Sequence, residues 1–132
     1  MKSKKSKIKT NAKRAEREAA RNLLKIDGKP KEQSLLSLMS STGRIGHLTG
    51  IQLDYVSKNY FGETKSSLSL AENPGHRITQ EELLKLQKNP MLKEFKKNWL
   101  YILKIVRCEE MHGISMKRHA ELLEYERKMK GE

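Results

Sequence analysis

One apolar segment, residues 91–112, constrains the fold of this chain more than any other feature. At 100° per residue, its large apolar side chains form one stripe along a helix: Leu92, Phe95, Trp99, Ile102, Leu103 and Val106. Three further residues widen this stripe past half of the helix circumference: Leu100, Tyr101 and Ile105. A helix that is apolar on several sides has to be covered on several sides. The pattern predicts a long helix over residues 90–112, placed in the core or at a subunit interface through Phe95, Trp99, Ile102 and Val106.

Helix-start signals surround this segment. Thr79 with Glu82 forms a capping box, Asn89 with Pro90 supplies a cap and a first-turn proline, and Ser115 precedes the last apolar-periodic stretch. No segment alternates polar and apolar residues over the length of a strand, and aromatic residues make up only 5% of the chain. The fold class predicted is all-α, a small domain of about five to six helices.

The 132 residues suit one modest domain with a tail. Residues 1–9 are almost entirely Lys and Ser and are predicted to be a disordered basic tail. Residues 10–30 are predicted to be an Arg/Lys-rich helix and linker, with the helix ending before Asp27-Gly28. Residues 31–132 are the predicted helical domain. Two short helices within residues 49–72 would make either a helix-turn-helix element or an ordinary helical hairpin, with Asp54 and Lys58 on the solvent face.

Positive charge is concentrated at the N-terminus, where residues 1–30 carry 11 of the 28 basic side chains and 3 of the 16 acidic ones. On the predicted helix the basic side chains share one side, and the opposite side is apolar: Arg14, Arg17, Arg21 and Lys25 against Ala12, Ala15, Ala19, Leu23 and Ile26. One face can dock while the other meets a polyanion. The predicted nucleic-acid contacts are Lys4, Lys5, Lys7, Lys9, Lys13, Arg14, Arg17, Arg21 and Lys25, with Lys58 and Lys65 as secondary contacts.

Several function classes are not expected. The basic stripe is backed by alanines, no apolar run reaches membrane-spanning length, and no secretory signal is visible, so we expect a cytoplasmic protein, in the host cell if it is viral. Cys108 is the single cysteine, and its spacing to His112 and His119 is better explained by a core thiol and surface histidines than by a zinc site. The adjacent pairs Glu81-Glu82 and Glu109-Glu110 fit charged helix surfaces. We therefore expect no metal, no cofactor and no catalytic activity.

Two family resemblances point to nucleic acid. Leu48-Thr49, Gln52, Tyr55-Val56 and Tyr60-Phe61 resemble the opening helix of the DNA-binding domain in bacteriophage terminase small subunits, and Leu86-Gln87-Lys88-Asn89-Pro90 is similar to the start of their next helix. This resemblance implies a ring-forming DNA-recognition protein, with residues 91–112 at subunit contacts and a larger protein subunit as partner.

The run Lys13-Arg14-Ala15-Glu16-Arg17-Glu18-Ala19 resembles instead the arginine-rich helix of lambdoid phage N antitermination proteins. That resemblance implies a monomer that binds hairpin RNA and RNA polymerase. A third hypothesis is an interaction protein that docks the apolar segment 91–112 onto a host enzyme. Taken together, the sequence predicts a nucleic-acid-binding accessory protein of phage or mobile-element type, with DNA favoured over RNA and a homo-oligomer as an open alternative.

Overall fold

The apolar segment is mainly a β-strand, and the all-α prediction is wrong. In a computed structural model of the chain, which describes residues 4–45, 53–68 and 72–132 and side chains from residue 12 onward in those ranges, helices flank a four-stranded mixed sheet. The strands are β1 (Tyr55–Val56), β2 (Tyr60–Ser67), β3 (Asn98–Ile105) and β4 (Met111–Gly113), arranged in the order β1-β2-β3-β4. β2 and β3 are parallel, and the two outer pairings are antiparallel.

β3 explains why the predicted helix over 90–112 is wrong. Helical structure in this region is confined to α4 (Pro90–Glu94), and Lys96 follows with φ 53°. Along β3, Leu100 and Ile102 pack on one face of the sheet, while Trp99, Tyr101 and Leu103 pack on the other. A strand buried on both faces has a continuous apolar sequence, which periodicity alone cannot distinguish from a buried helix.

Helix α1 (Lys4–Asp27) covers one face of the sheet through Ala19, Ala20 and Leu23, which are all buried. It ends at Asp27, one residue beyond the predicted end, and the predicted stop at Gly28 is confirmed, since Gly28 has φ 85° and donates its N–H to the Leu24 carbonyl. Its start corrects the predicted disordered tail, because the backbone is already helical over residues 4–9 and extending an existing helix needs no new nucleation. Residues 1–3 lie outside the described part.

The other face is covered by α2 (Gln33–Leu38), α3 (Gln80–Gln87) and α4, which pack around Phe61 and Tyr101 through Leu35, Leu86 and Leu92. The predicted caps are confirmed: Thr79, Asn89 and Ser115 each accept a backbone N–H at the start of a helix. The last helix, α5 (Met116–Met129), buries none of its residues. Near its start, the Arg118 side chain donates to the Tyr60 hydroxyl at 3.0 Å.

The helix-turn-helix predicted over residues 49–72 is wrong, because residues 53–68 contain the strands β1 and β2. Residues 49–52 and 69–71 of that prediction lie outside the described residues. Tyr55, Val56, Tyr60 and Phe61 are strand-favouring residues around a short turn, which is a hairpin signal as well as a helical one. β2 then returns to the parallel strand β3 through α3 and α4, the crossover that parallel strands require. Among the helices that the structure describes, none is long and apolar enough to cross a membrane.

Candidate functional site

A carboxylate, a second carboxylate and a lysine meet where β1 begins. Asp54 directly precedes β1, and Glu63 and Lys65 project from one face of β2, because side chains two residues apart share a face. The Asp54 N–H donates to the Gly62 carbonyl at 2.9 Å, and the Asp54 carboxylate accepts the Thr64 N–H at 2.9 Å. These two bonds hold the Asp54 carboxylate beside the backbone between Glu63 and Lys65.

Tyr55 and Gly62 fix the backbone at this position. The Tyr55 side chain is fully buried, and its hydroxyl donates to the Glu63 carbonyl at 3.0 Å. A side chain at position 62 would overlap the ring of Tyr55, so only glycine lets the ring lie across β2. The site therefore sits on a rigid part of the sheet.

Helix α1 adds a third carboxylate. Glu16 Oε2 lies 3.2 Å from Arg44 Nη2, and both side chains are partly buried. Burial raises the pKa of Glu16 above its usual value, the negative charge of Asp54 adds to the rise, and the positive charges of Arg44 and Lys65 oppose it. Asp54 and Lys65 are thus close enough to Glu16 to alter its ionisation, although the three residues come from α1 and two positions of the sheet.

Glu63 faces a cleft of about 400 Å³ that is also lined by Leu53, Lys85, Lys88 and Asn89. Burial raises the pKa of Glu63, and the negative charges of Asp54 and Glu82 add to the rise, against the positive charge of Lys65. A carboxylate whose pKa is raised by neighbouring carboxylates at the edge of a cleft is typical of a functional site, because the repulsion is relieved when a cation binds.

Glu82 of α3 forms an ion pair with Lys65. The Lys65 ammonium lies 3.8 Å from Glu82 Oε1, which also accepts the Tyr101 hydroxyl at 2.9 Å and lies 3.2 Å from His76 Nε2. Burial alone would raise the pKa of Glu82, but the hydrogen bonds from Tyr101 and His76 bring it below its usual value. Glu82 is therefore an ionised anchor that keeps Lys65 next to the carboxylates.

The donor set of this site fits a hard divalent cation. Within the part of the chain that the structure describes, no three His, Cys, Asp or Glu side chains converge closely enough to form a complete metal cage. Mg²⁺ does not need one, because it is commonly held by one or two carboxylates, water and the phosphates of a substrate. Asp54 and Glu63 supply such a pair of carboxylates, and oxygen ligands favour Mg²⁺ or Mn²⁺ over zinc.

The cationic face of α1 points away from the sheet, because the opposite face of the helix packs against it. The predicted contacts Lys13, Arg14, Arg17, Arg21 and Lys25 are all exposed, and Glu16 lies among them in the sequence. Ala15, Ala19 and Leu23 on the opposite face are buried as predicted, whereas Ile26 is 72% exposed and was wrongly assigned to that face. The side chains of Lys4, Lys5, Lys7 and Lys9 lie outside the described residues.

The other predicted residues are distributed over different parts of the molecule. Lys58 is exposed in the turn between β1 and β2, and Lys65 belongs to the carboxylate site. Ile102 is fully buried against α1, Phe95 and Trp99 pack against the cluster on the opposite face, and Val106 follows β3 in a partly buried position. The predicted contact residues of a long helix therefore hold helices to both sides of a sheet.

Sequence reasoning missed Asp54, Glu63 and Glu16 as site residues. The signal that could have found them is Glu63-Thr64-Lys65 on a strand, with Asp54 at the start of the preceding strand. The chain matches no protein-family model, no curated protein and no solved structure, so its function has to be inferred from the site itself.

Proposed function

We propose that this protein is a nuclease that binds nucleic acid through α1 and hydrolyses phosphodiester bonds with a divalent cation. The observation that carries the proposal is the Asp54 carboxylate bound to the Thr64 N–H, beside Glu63 and Lys65. A carboxylate on a cleft, a second carboxylate and a lysine on the neighbouring backbone, and an arginine-rich helix packed on the same sheet together suit a cation, a phosphate and a nucleic-acid backbone. This proposal keeps the nucleic-acid partner expected from the sequence, with DNA favoured over RNA. It replaces the expected non-catalytic role with an enzymatic one.

Each residue has a distinct role in this proposal. Asp54 and Glu63 would hold the cation, which when bound acts as a Lewis acid toward phosphoryl oxygen. Lys65 places a positive charge where negative charge develops on the phosphate during hydrolysis. Glu16, with its raised pKa, is the acidic group suited to accept a proton from the attacking water. Glu82 acts through Lys65 and is a positioning residue.

The cationic face of α1 supplies affinity. Arg14, Arg17, Arg21 and Lys25 are spaced along one side of a helix and are exposed, so they can contact successive backbone phosphates. Phosphate contacts of this kind release counterions and carry little sequence preference. The proposal therefore concerns a backbone-directed enzyme, and base recognition is not part of it.

Cleavage assays test the proposal directly. The wild-type protein is incubated with linear duplex DNA, supercoiled plasmid and hairpin RNA in Mg²⁺, in Mn²⁺ or in EDTA. We expect cation-dependent cleavage that D54N, E63Q or K65M lowers about 100-fold or more. E81Q is the matched control, because Glu81 lies on α3 with its side chain 83% exposed.

Binding in EDTA separates catalysis from recognition. D54N and E63Q are expected to bind duplex DNA at least as tightly as the wild-type protein, since each substitution removes a negative charge that repels the DNA backbone. Absence of cation-dependent cleavage of all three substrates would contradict the enzymatic proposal. Cleavage that persists in both variants at the wild-type rate would also contradict it, because the activity would then come from elsewhere.

A further inference from the structure

Away from the carboxylates, three turns of the chain meet at one end of the sheet. The Lys58 N–H donates to the Gly28 carbonyl at 3.0 Å, which joins the β1–β2 turn to the end of α1. The Asn98 N–H donates to the Asn59 carbonyl at 2.8 Å, which joins the same turn to the start of β3. Segments far apart in the sequence therefore form one surface.

The buried and partly buried charges at this end are engaged in internal contacts. The Asp27 carboxylate accepts the Ser57 hydroxyl at 2.6 Å, the Asn59 N–H at 2.7 Å and the Asn59 side-chain amide at 2.6 Å. The buried Lys97 ammonium donates to the Lys58 carbonyl at 2.5 Å and lies 3.2 Å from Glu32 Oε2. Both acidic groups are thus occupied in joining the turns.

The remaining charges point outward and are mostly positive. Six lysines at this end are exposed, and no described side chain forms an ion pair with any of them: Lys25, Lys29, Lys31, Lys58, Lys93 and Lys96. Lys96 also lies at φ 53°, a left-handed conformation that costs about 1–2 kcal/mol for a residue with a side chain. We call these six residues the lysine end.

The lysine end lies at a definite distance from the carboxylates. From Glu16 to Asp27, α1 rises about 16 Å at 1.5 Å per residue. From Asn59 to Glu63, β2 and the residue before it rise about 13 Å at 3.3 Å per residue. Since base pairs are spaced by 3.4 Å, either distance corresponds to about four to five base pairs of duplex.

We propose that the lysine end binds the backbone phosphates of duplex DNA about four to five base pairs from the bond held at Asp54 and Glu63. This offset rests on the proposed nuclease function, whereas the binding surface itself does not. Lys25 continues the arginine stripe of α1 into the lysine end, so one duplex can contact both. A bilayer is a poorer partner, because membrane-surface binding needs a broad apolar face beside the charges, and among the described residues only Ile26 is an exposed large apolar side chain next to these lysines.

Salt-dependent binding in EDTA tests the surface. We compare the wild-type protein with the variant K29Q/K31Q/K58Q/K96G by fluorescence anisotropy on a 30-base-pair duplex. The slope of log affinity against log salt is expected to fall by about three to four in the variant. The control K117Q/R127Q/K128Q/K130Q removes the same charge from α5 and is expected to change the slope by less than about one.

K96G provides a second readout. Glycine adopts the conformation of position 96 without strain, so this variant is expected to be at least as stable as the wild-type protein while binding DNA more weakly. A purely structural role of Lys96 would not lower binding in a more stable protein. A slope for the four-residue variant equal to that of the α5 control would overturn the proposal.

The offset is tested with duplexes that carry neutral methylphosphonate linkages. Because the cut has no fixed sequence, cut positions are mapped around one such linkage. The wild-type protein is expected to cut less often four to five base pairs from the linkage, whereas the four-residue variant is expected to cut there as often as elsewhere. An effect confined to linkages within two base pairs of the cut would overturn the offset. If no cleavage occurs at all, the proposed function fails, and the salt experiment in EDTA still decides whether the lysine end binds DNA.

Discussion

The Asp54 carboxylate and the Thr64 backbone N–H are joined by a 2.9 Å hydrogen bond. This bond lets a side chain outside β2 satisfy a strand N–H, and it places one negative charge between Glu63 and Lys65. An Asp54→Asn substitution keeps an acceptor for the N–H and removes only the charge. D54N is therefore a cleaner probe of the site than D54A, which would leave a donor without its partner.

The salt dependence of DNA binding should report on the exposed face of α1. We expect R14Q/R17Q/R21Q to reduce the slope of log affinity against log salt by about 2.7 if each arginine contacts one phosphate, as each contact contributes about 0.9. Fluorescence anisotropy at several salt concentrations measures the slope. K117Q/R127Q/K128Q on α5 is the control with equal charge loss. An unchanged slope in the α1 variant would show that this face is not the contact.

Glu63 should destabilise the folded protein at neutral pH. Its pKa is raised by burial and by Asp54, so the fold favours the protonated form. The stabilisation is present at low pH and is lost as pH rises through the raised pKa. E63Q should therefore raise both the melting temperature and the free energy of unfolding at pH 7. The gain in free energy should be no more than about 2 kcal/mol.

Cation binding should reduce or reverse the stability advantage of E63Q over the wild-type protein. Because a ligand stabilises the state that binds it, millimolar Mg²⁺ or Mn²⁺ should raise the melting temperature of the wild-type protein and leave that of E63Q nearly unchanged. Differential scanning fluorimetry measures both effects, with E124Q on α5 as control. Equal cation shifts in the wild-type protein and E63Q would exclude Glu63 as a ligand.

Gly62 should be intolerant of any side chain. A Cβ at this position overlaps the Tyr55 ring, which is buried and cannot move without breaking its bond to the Glu63 carbonyl. We expect G62A to lower the free energy of unfolding by about 1–3 kcal/mol, measured by urea denaturation. Gly75 has no atom within 4 Å of the corresponding position, so G75A is the matched control and should be nearly neutral. Equal stability of the two variants would contradict the packing described for Tyr55.

Tyr101 should protect the protein against acid. The pKa of Glu82 is lowered in the fold, against the effect of burial, by the hydrogen bonds from Tyr101 and His76. The stabilisation from ionised Glu82 is present above its unfolded pKa of about 4.5 and is lost as pH falls through the lower folded value.

Y101F removes one of those bonds, so its stability should depend less steeply on pH below about 4.5. At pH 7 it should unfold about 1–2 kcal/mol more easily than the wild-type protein. Urea denaturation at several pH values measures both differences, with Y125F on α5 as control. Parallel pH curves for Y101F and the wild-type protein would contradict the role of this hydrogen bond.

The local features of this protein were determined by the sequence itself. The caps at Thr79, Asn89 and Ser115, the end of α1 at Asp27 and the division of α1 into a charged and a buried face each depend on residues within one or two turns. Such features follow from short-range hydrogen bonding and helical periodicity, which are visible in a linear sequence.

Only the tertiary structure decided that residues 98–105 are a strand and that Asp54 lies beside Glu63 and Lys65 of β2 and within electrostatic range of Glu16. β3 is apolar on both faces because α1 covers one side and α2, α3 and α4 cover the other, and no local pattern reveals that coverage. The site depends on the strand period of two at Glu63 and Lys65 and on a contact between α1 and the sheet. In a helix, Glu63 and Lys65 would point in different directions. Their common site therefore depends on the strand conformation, which long-range packing fixes.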